Sequence, residues 1–272
     1  MKHTTLLLLS LALTLNLLAA KVDTVTTFSP SMNKNIKAVV ITPEGYDKAK
    51  EVPTLYLLHG WSGNYASYVK DQPVCVNLAD SYQMMVVCVD GGYSSWYWDS
   101  PVDPTFKYET YVAAELIKWI DERYKTIKSP AGRGICGLSM GGHGALYLAL
   151  RHQDVFGAAG SMSGGVDIRP FPNNWDMAKR LGKYSEQPNR WNEYTAVNQL
   201  HLYTPKSLAI MVDCGTGDFF YTVNENLHKK MLELNIPHDY ISRPGKHNSE
   251  YWNVALPHQM LFMSSFFEKG KK

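Results

Sequence analysis

Five residues carry the first chemical signal. Gly137-Leu138-Ser139-Met140-Gly141 fits the G-x-S-x-G pattern of a serine held on a tight turn between a strand and a helix. Gly134 to Leu138 reads as a short buried strand, and Met140 to Arg151, rich in Ala and Leu, reads as a helix. In that context the glycines have a steric task, because side chains two residues either side of a strained serine would collide across the turn. Ser139 is therefore the candidate nucleophile, and the competing reading is an ordinary turn serine.

A serine hydroxyl attacks only when a base takes its proton and a carboxylate orients that base. On such an elbow the acid and then the histidine follow the serine in the chain, on loops at the C-terminal ends of strands. Of nine histidines, His247, in Pro244-Gly245-Lys246-His247-Asn248, is expected between the last strand and the last helix. His228 falls in mid-helix, His152 at a helix end, and His143 one turn beyond Ser139. His201, His238 and His258 lack the loop context, and His59 is read as structural. Two aspartates flank Cys214-Gly215-Thr216-Gly217. Asp213 ends a strand and is expected at the sheet edge. Asp218 lies beyond the glycines, where the loop can turn it toward His247, and is the favoured acid. Donors for an oxyanion are expected from the Met140 amide, at a helix N-terminus, and from the Trp61 amide, with Gly60 next, in the loop after the strand Val52 to Leu58.

These groups need a scaffold that brings them to one rim. Val22 to Pro30 and Ile36 to Thr42, separated by Asn33-Lys34-Asn35, read as an antiparallel pair. Further strands are expected at Met84 to Asp90, Val155 to Met162, Ser207 to Val212 and His238 to Ser242. Helices are expected at Asn64 to Ser81 (broken near Pro73), Lys107 to Tyr124, Val223 to Leu234 and Ser249 to Glu268. Continuous apolar strands alternating with helices predict an α/β fold: a mostly parallel central sheet with an antiparallel N-terminal edge and helices on both faces. Val166 to Pro205 is too long for an ordinary connection and reads as a helical insertion that could cap a site, with short pieces near Trp175 to Leu181 and Trp191 to Leu200.

Composition narrows the partners. Of 272 residues, the first twenty show a basic start at Lys2 and His3, an apolar run Leu6 to Leu18, and Ala19-Ala20. This predicts a signal peptide over residues 1–20, cleaved after Ala20, and export to the periplasm or beyond the cell without a stable membrane anchor. Residues 21–272 then form one domain. The net charge of +2 with scattered basic residues gives no nucleic-acid footprint. Cys75, Cys88, Cys136 and Cys214 show neither C-x-x-C nor metal-ligand spacing and read as buried thiols, so neither a metal nor an organic cofactor is expected. Tyr93, Trp96, Trp98, Trp61 and Trp252 are candidates to line a site, with core packing as the alternative for each.

Four stretches carry a resemblance: Leu57-Leu58-His59-Gly60-Trp61-Ser62-Gly63, the elbow Gly137 to Gly142, Cys214-Gly215-Thr216-Gly217-Asp218, and Gly245-Lys246-His247-Asn248-Ser249-Glu250-Tyr251-Trp252. Together they resemble the esterase D group of α/β-hydrolases over nearly the whole mature chain. That group contains the feruloyl and acetylxylan esterases of carbohydrate esterase family one, S-formylglutathione hydrolases, enterochelin esterase-like enzymes and mycolyltransferases. The resemblance implies the α/β-hydrolase fold and a triad of Ser139, Asp218 and His247. Lys246 departs from it, since many relatives carry a small residue before the histidine. With the leader and the loop Tyr93 to Thr105, which is dense in aromatic residues, it implies an exported serine carboxylesterase. The expected substrates are feruloyl or other hydroxycinnamoyl esters, or acetyl esters, of plant cell-wall polysaccharide such as xylan. The alternatives are a thioesterase of the S-formylglutathione hydrolase type, a general short-chain acyl esterase, and a catalytically silent binding module.

Overall fold

The computed structural model describes residues 20–46 and 50–270; residues 1–19 of the expected leader lie outside the described residues. Eight strands form one sheet: β1 (Lys21–Ser29), β2 (Lys34–Thr42), β3 (Thr54–Leu58), β4 (Met85–Val89), β5 (Arg133–Leu138), β6 (Ala158–Met162), β7 (Ala209–Gly215) and β8 (Asp239–Arg243). Their spatial order is β1-β2-β4-β3-β5-β6-β7-β8. β1 and β2 are an antiparallel hairpin turning at Asn33, which takes the positive φ that asparagine tolerates. β2 meets β4 antiparallel, and every pairing from β4 onward is parallel. The predicted α/β fold with an antiparallel N-terminal edge is the fold observed.

The sheet separates two cores by the period-two alternation of its strands. Tyr56, Leu58, Val87, Val89 and Ile135 point into one, and Leu55, Leu57, Val86, Cys88 and Cys136 into the other. Every residue of β3 to β6 is buried; β3 and β4 accordingly read as apolar runs, while β5 opens on Arg133, which is paired with Asp121 at 2.9 Å. All four cysteines are buried and unpaired in disulfides.

Helices cover both faces. On one side lie α1 (Ser67–Asp71) and α2 (Val74–Ser81), divided at Pro73 as the sequence predicts. The helix expected over Lys107 to Tyr124 is built from α3 (Tyr108–Thr110), a π-helical stretch Tyr111–Leu116, and α4 (Ile117–Arg123). Within the wider turns Glu115 reaches the β1–β2 hairpin, bonding Ser29 Oγ at 2.5 Å and the Ser31 amide at 2.8 Å. Periodicity alone could not foresee that contact.

α5 (Met140–Arg151) follows the elbow and is buried along nearly its whole length. The insertion holds three short helical pieces rather than the expected two: α6 (Met177–Leu181), α7 (Pro188–Glu193) and a 3-10 segment Ala196–Leu202. α8 (Tyr221–Glu233) and α9 (Ser249–Lys269) complete the chain, with α9 capped by Asn248, whose Oδ1 accepts from the Tyr251 amide at 3.1 Å.

Candidate active site

Ser139 leaves β5 at φ 56° and ψ −117°, a strained conformation for a non-glycine residue. The strain is held by backbone packing. A Cβ on Gly137 would stand 2.3 Å from the Gly141 carbonyl, and one on Gly141 would stand 2.0 Å from the Leu58 carbonyl of β3. Only glycine fits at either position, so the elbow can press against the neighbouring strand. The Ser139 amide donates to the Met162 carbonyl at 2.9 Å, tying the turn to β6 as well.

The loops after β7 and β8 complete the site. The Ser139 hydroxyl lies 2.9 Å from His247 Nε2, and His247 Nδ1 lies 3.0 and 2.9 Å from the two carboxylate oxygens of Asp218. With Nδ1–H donating to the carboxylate, Nε2 is left as the acceptor for the serine proton. The Asp218 side chain is fully buried, and its Oδ1 also accepts from the Phe220 amide at 2.7 Å. Three aromatic rings enclose the imidazole: Phe219 at 4.2 Å, Trp252 at 5.0 Å and Phe220 at 5.4 Å between centroids. The arrangement can generate an alkoxide-like nucleophile.

The turn after β3 lies alongside. A Cβ on Gly60 would stand 3.4 Å from the Ser139 Cβ. Among the described residues the Trp61 amide has no acceptor, and the Met140 amide opens α5, where the first N–H groups lack intrahelical partners. His59 is buried and structural: its Nε2 accepts from the Gly91 amide at 2.8 Å, and its Nδ1–H donates to the Gly60 carbonyl at 2.7 Å.

The remaining histidines are engaged elsewhere. His143 is fully buried, donates from Nε2 to the Tyr194 carbonyl at 3.1 Å, and has its pKa pushed down to about 4 by burial. His152 bonds Glu109 at 2.8 Å, and His228 pairs with His238 at 2.7 Å. Asp213, the rival acid, is fully buried and bonded to Tyr251 and Arg243.

Above Ser139 opens a cleft of about 630 Å³. Trp61 and Trp252 line it, as expected. Tyr93 stands outside the lining, half exposed, with its ring edge-on to Trp61 at 4.9 Å. Trp96 and Trp98 are corrections: both are buried in the core, stacked 5.7 Å apart. Their indole nitrogens explain the placement. Trp96 Nε1 donates to the Trp175 carbonyl at 3.3 Å and Trp98 Nε1 to the Tyr194 carbonyl at 3.0 Å, so both rings carry the insertion. Sequence reasoning missed Trp175 and Phe219, which line the cleft and stack on each other at 5.6 Å. Phe219 directly follows Asp218, and that adjacency was a usable signal; Trp175 had none beyond its aromatic type. Among the described residues no cluster of three or more His, Cys, Asp or Glu side chains is placed to hold a metal ion.

The chain is similar to several known proteins. Esterase Rv1288 of Mycobacterium tuberculosis is 32% identical over 134 residues, which span 48% of this chain and 29% of that protein. The chain thus matches less than a third of the length of that curated relative. The diacylglycerol acyltransferase/mycolyltransferase Ag85A of Mycobacterium tuberculosis is 33% identical over 265 residues, covering 84% of this chain and 76% of its own. A solved ferulic acid esterase superimposes with a TM-score of 0.78 at 30% identity, covering 92% of this chain and 99% of that one. The family model Esterase, described as "Putative esterase", matches residues 29–263, nearly the whole of the sheet and all three residues joined around Ser139, and the chain belongs to that family.

Proposed function

We propose that this protein is an exported serine carboxylesterase that removes hydroxycinnamoyl or acetyl groups from plant cell-wall polysaccharide such as xylan. The observation that carries the esterase reading is the hydrogen-bonded series from Ser139 through His247 to Asp218 at the floor of an aromatic-walled cleft. His247 takes the Ser139 proton as Oγ attacks the ester carbonyl. The Met140 and Trp61 amides receive the developing oxyanion, each such donor contributing about 3 kcal/mol. The alcohol leaves with the proton held by His247. A water, deprotonated by the same imidazole, then attacks the acyl-enzyme and releases the acid, restoring the serine hydroxyl.

Three observations support the finer reading. The leader predicted over residues 1–20 suits a polymer substrate met outside the cytoplasm. Trp61, Trp175, Phe219 and Trp252 give the cleft faces that stack on phenolic rings and sugars. A ferulic acid esterase is among the similar structures, at 30% identity. A glutathione thioester would pass through the same chemistry, but it is a cytosolic substrate and fits the leader poorly. An intact triad speaks against a silent binding module.

The test is a rate comparison on methyl ferulate, acetylated xylan and a glutathione thioester, with Ser139→Ala as control. Preference for either of the first two is expected, and Ser139→Ala abolishes turnover with the fold intact. Preference for the thioester overturns the polysaccharide reading, and full activity of Ser139→Ala overturns the mechanism.

A further inference from the structure

Asp213 takes no part in the reaction above, yet its carboxylate is as fully buried as that of Asp218 across the glycine turn. Its two oxygens have separate donors: Tyr251 Oη on one and the Arg243 guanidinium on the other. The guanidinium also lies 5.2 Å from the Tyr251 ring centroid, so the three side chains close on one another. Each comes from a different element: Asp213 from β7, Arg243 from the end of β8, Tyr251 from the first turn of α9.

The placement of these three relative to the triad is the point. Asp213 lies in β7, which leads into the loop that bears Asp218; Arg243 ends β8, which leads into the loop that bears His247; and Tyr251 follows His247 into α9. Backbone bonds run between the same two loops: the Thr216 amide to the Arg243 carbonyl at 2.9 Å, and the Gly217 amide to the Gly245 carbonyl at 2.8 Å. The Tyr251 ring fills the space beside both. A Cβ on Gly245 would meet the ring at 2.1 Å, and one on Gly215 would meet it at 3.1 Å. Burial and the neighbouring carboxylate push the Tyr251 phenol well above its ordinary value, so it stays protonated and donates.

We propose that Asp213 is a positioning residue for the reaction: through Tyr251 and Arg243 it fastens the loop that bears Asp218 to the loop that bears His247, and so fixes the imidazole at bonding distance from Ser139. The inference rests on the esterase reading of the site. A buried carboxylate with two committed donors resists displacement, because losing Arg243 leaves its charge unpaired and losing the Tyr251 hydroxyl leaves one buried oxygen without a donor. Catalytic groups misplaced by an ångström lose large factors in rate, and a rigid supporting shell is what prevents it.

Tyr251→Phe keeps the ring between the glycines and removes only the hydroxyl; Asp213→Asn removes the charge; Arg243→Lys keeps a cation. On p-nitrophenyl acetate, Tyr251→Phe and Asp213→Asn are expected to lower kcat about tenfold to a hundredfold with KM within about twofold, and Arg243→Lys to retain more of kcat than Arg243→Gln. In the proton NMR spectrum, the downfield signal of the His247 Nδ1–H bonded to Asp218 is expected to broaden or vanish in Tyr251→Phe. A merely structural role would lower the amount of folded enzyme and leave the kcat of the folded fraction and that resonance unchanged. Wild-type kcat together with an intact resonance in folded Tyr251→Phe overturns the proposal. Should the wild type hydrolyse no ester, the esterase reading fails, and the resonance decides this proposal alone: its loss in Tyr251→Phe upholds the fastening, its persistence ends it.

Discussion

The Trp96 indole donates to the Trp175 carbonyl across 3.3 Å, so a ring buried in the core sets the position of a ring that lines the cleft. Both residues have positive φ, at 55° and 49°, and each is followed by another residue with positive φ, Tyr97 and Asp176. Two strained turns therefore meet at one hydrogen bond. Strain of this kind persists only where the surroundings over-determine it. The insertion is thus tied to the body of the fold beside the cleft, by a donor that is itself buried in the core.

Trp96→Phe keeps the aromatic packing and removes that donor. A neutral hydrogen bond contributes about 0.5–1.5 kcal/mol net, which sets the scale of the loss in holding Trp175. The expected result on an aromatic ester is a KM raised about twofold to tenfold with kcat within about twofold. Steady-state kinetics check it, and a fall in kcat at unchanged KM would place the effect on the triad instead of on the cleft wall.

Asp218→Asn tests the acid directly. The amide oxygen can still accept from the Phe220 amide, so the loop keeps its shape. What is lost is the charge that orients His247 and stabilises the imidazolium. By analogy with other triads, kcat is expected to fall by about 10³- to 10⁴-fold, well beyond the loss expected of Tyr251→Phe. Comparable kcat values for the two variants would mean that Asp218 contributes only position.

The sheet and the triad were legible in the sequence because both are written in local patterns. Strands buried on both faces, such as β3 and β4, read as apolar runs, and the elbow is specified by glycines that the backbone itself demands. The choice of Asp218 over Asp213 followed from the glycine turn between them. Trp96 and Trp98 were misplaced for a physical reason: an aromatic side chain packs a core or lines a cleft with the same composition, and only tertiary hydrogen bonds separate the cases. The π-helical stretch was hidden likewise, since Glu115 reaches a strand distant in sequence. Trp175 entered the site through the path of a long insertion, which no periodicity encodes.

Gly141→Ala addresses the elbow's packing. The new methyl would stand 2.0 Å from the carbonyl oxygen of Leu58, part of the backbone of β3, which cannot rotate aside as a side chain would. Overpacking of this kind costs about 3 kcal/mol, or a fall of roughly 6–12 °C in Tm for a domain of this size. Esterase activity should fall as well, because the methyl displaces the turn that aims Ser139. Calorimetry and p-nitrophenyl acetate turnover check both, and a native Tm would show that β3 yields where the structure holds it firm.

His143 makes stability depend on pH. It sits in the first turn of the elbow helix, among Trp96, Trp98 and Tyr147, with ring centroids 5.3 to 5.5 Å away, and burial lowers its pKa from 6.5 to about 4. The folded protein therefore keeps the imidazole neutral in a range where the unfolded chain protonates it. Above pH 6.5 neither state takes the proton and nothing is lost; as pH falls from 6.5 toward 4, the unfolded state gains a proton that the folded state refuses, and stability declines. At pH 5 the decline from this residue is about 2 kcal/mol relative to pH 8. Other groups titrate too, so the readout is a difference. His143→Gln retains a donor for the Tyr194 carbonyl but cannot ionise, and the stability gap between wild type and variant, measured by urea unfolding, should shift by about 2 kcal/mol in the variant's favour between pH 8 and pH 5. A gap that stays constant across that range would mean that the imidazole protonates in the folded state near its ordinary value, and that the aromatic cage around it is open to water.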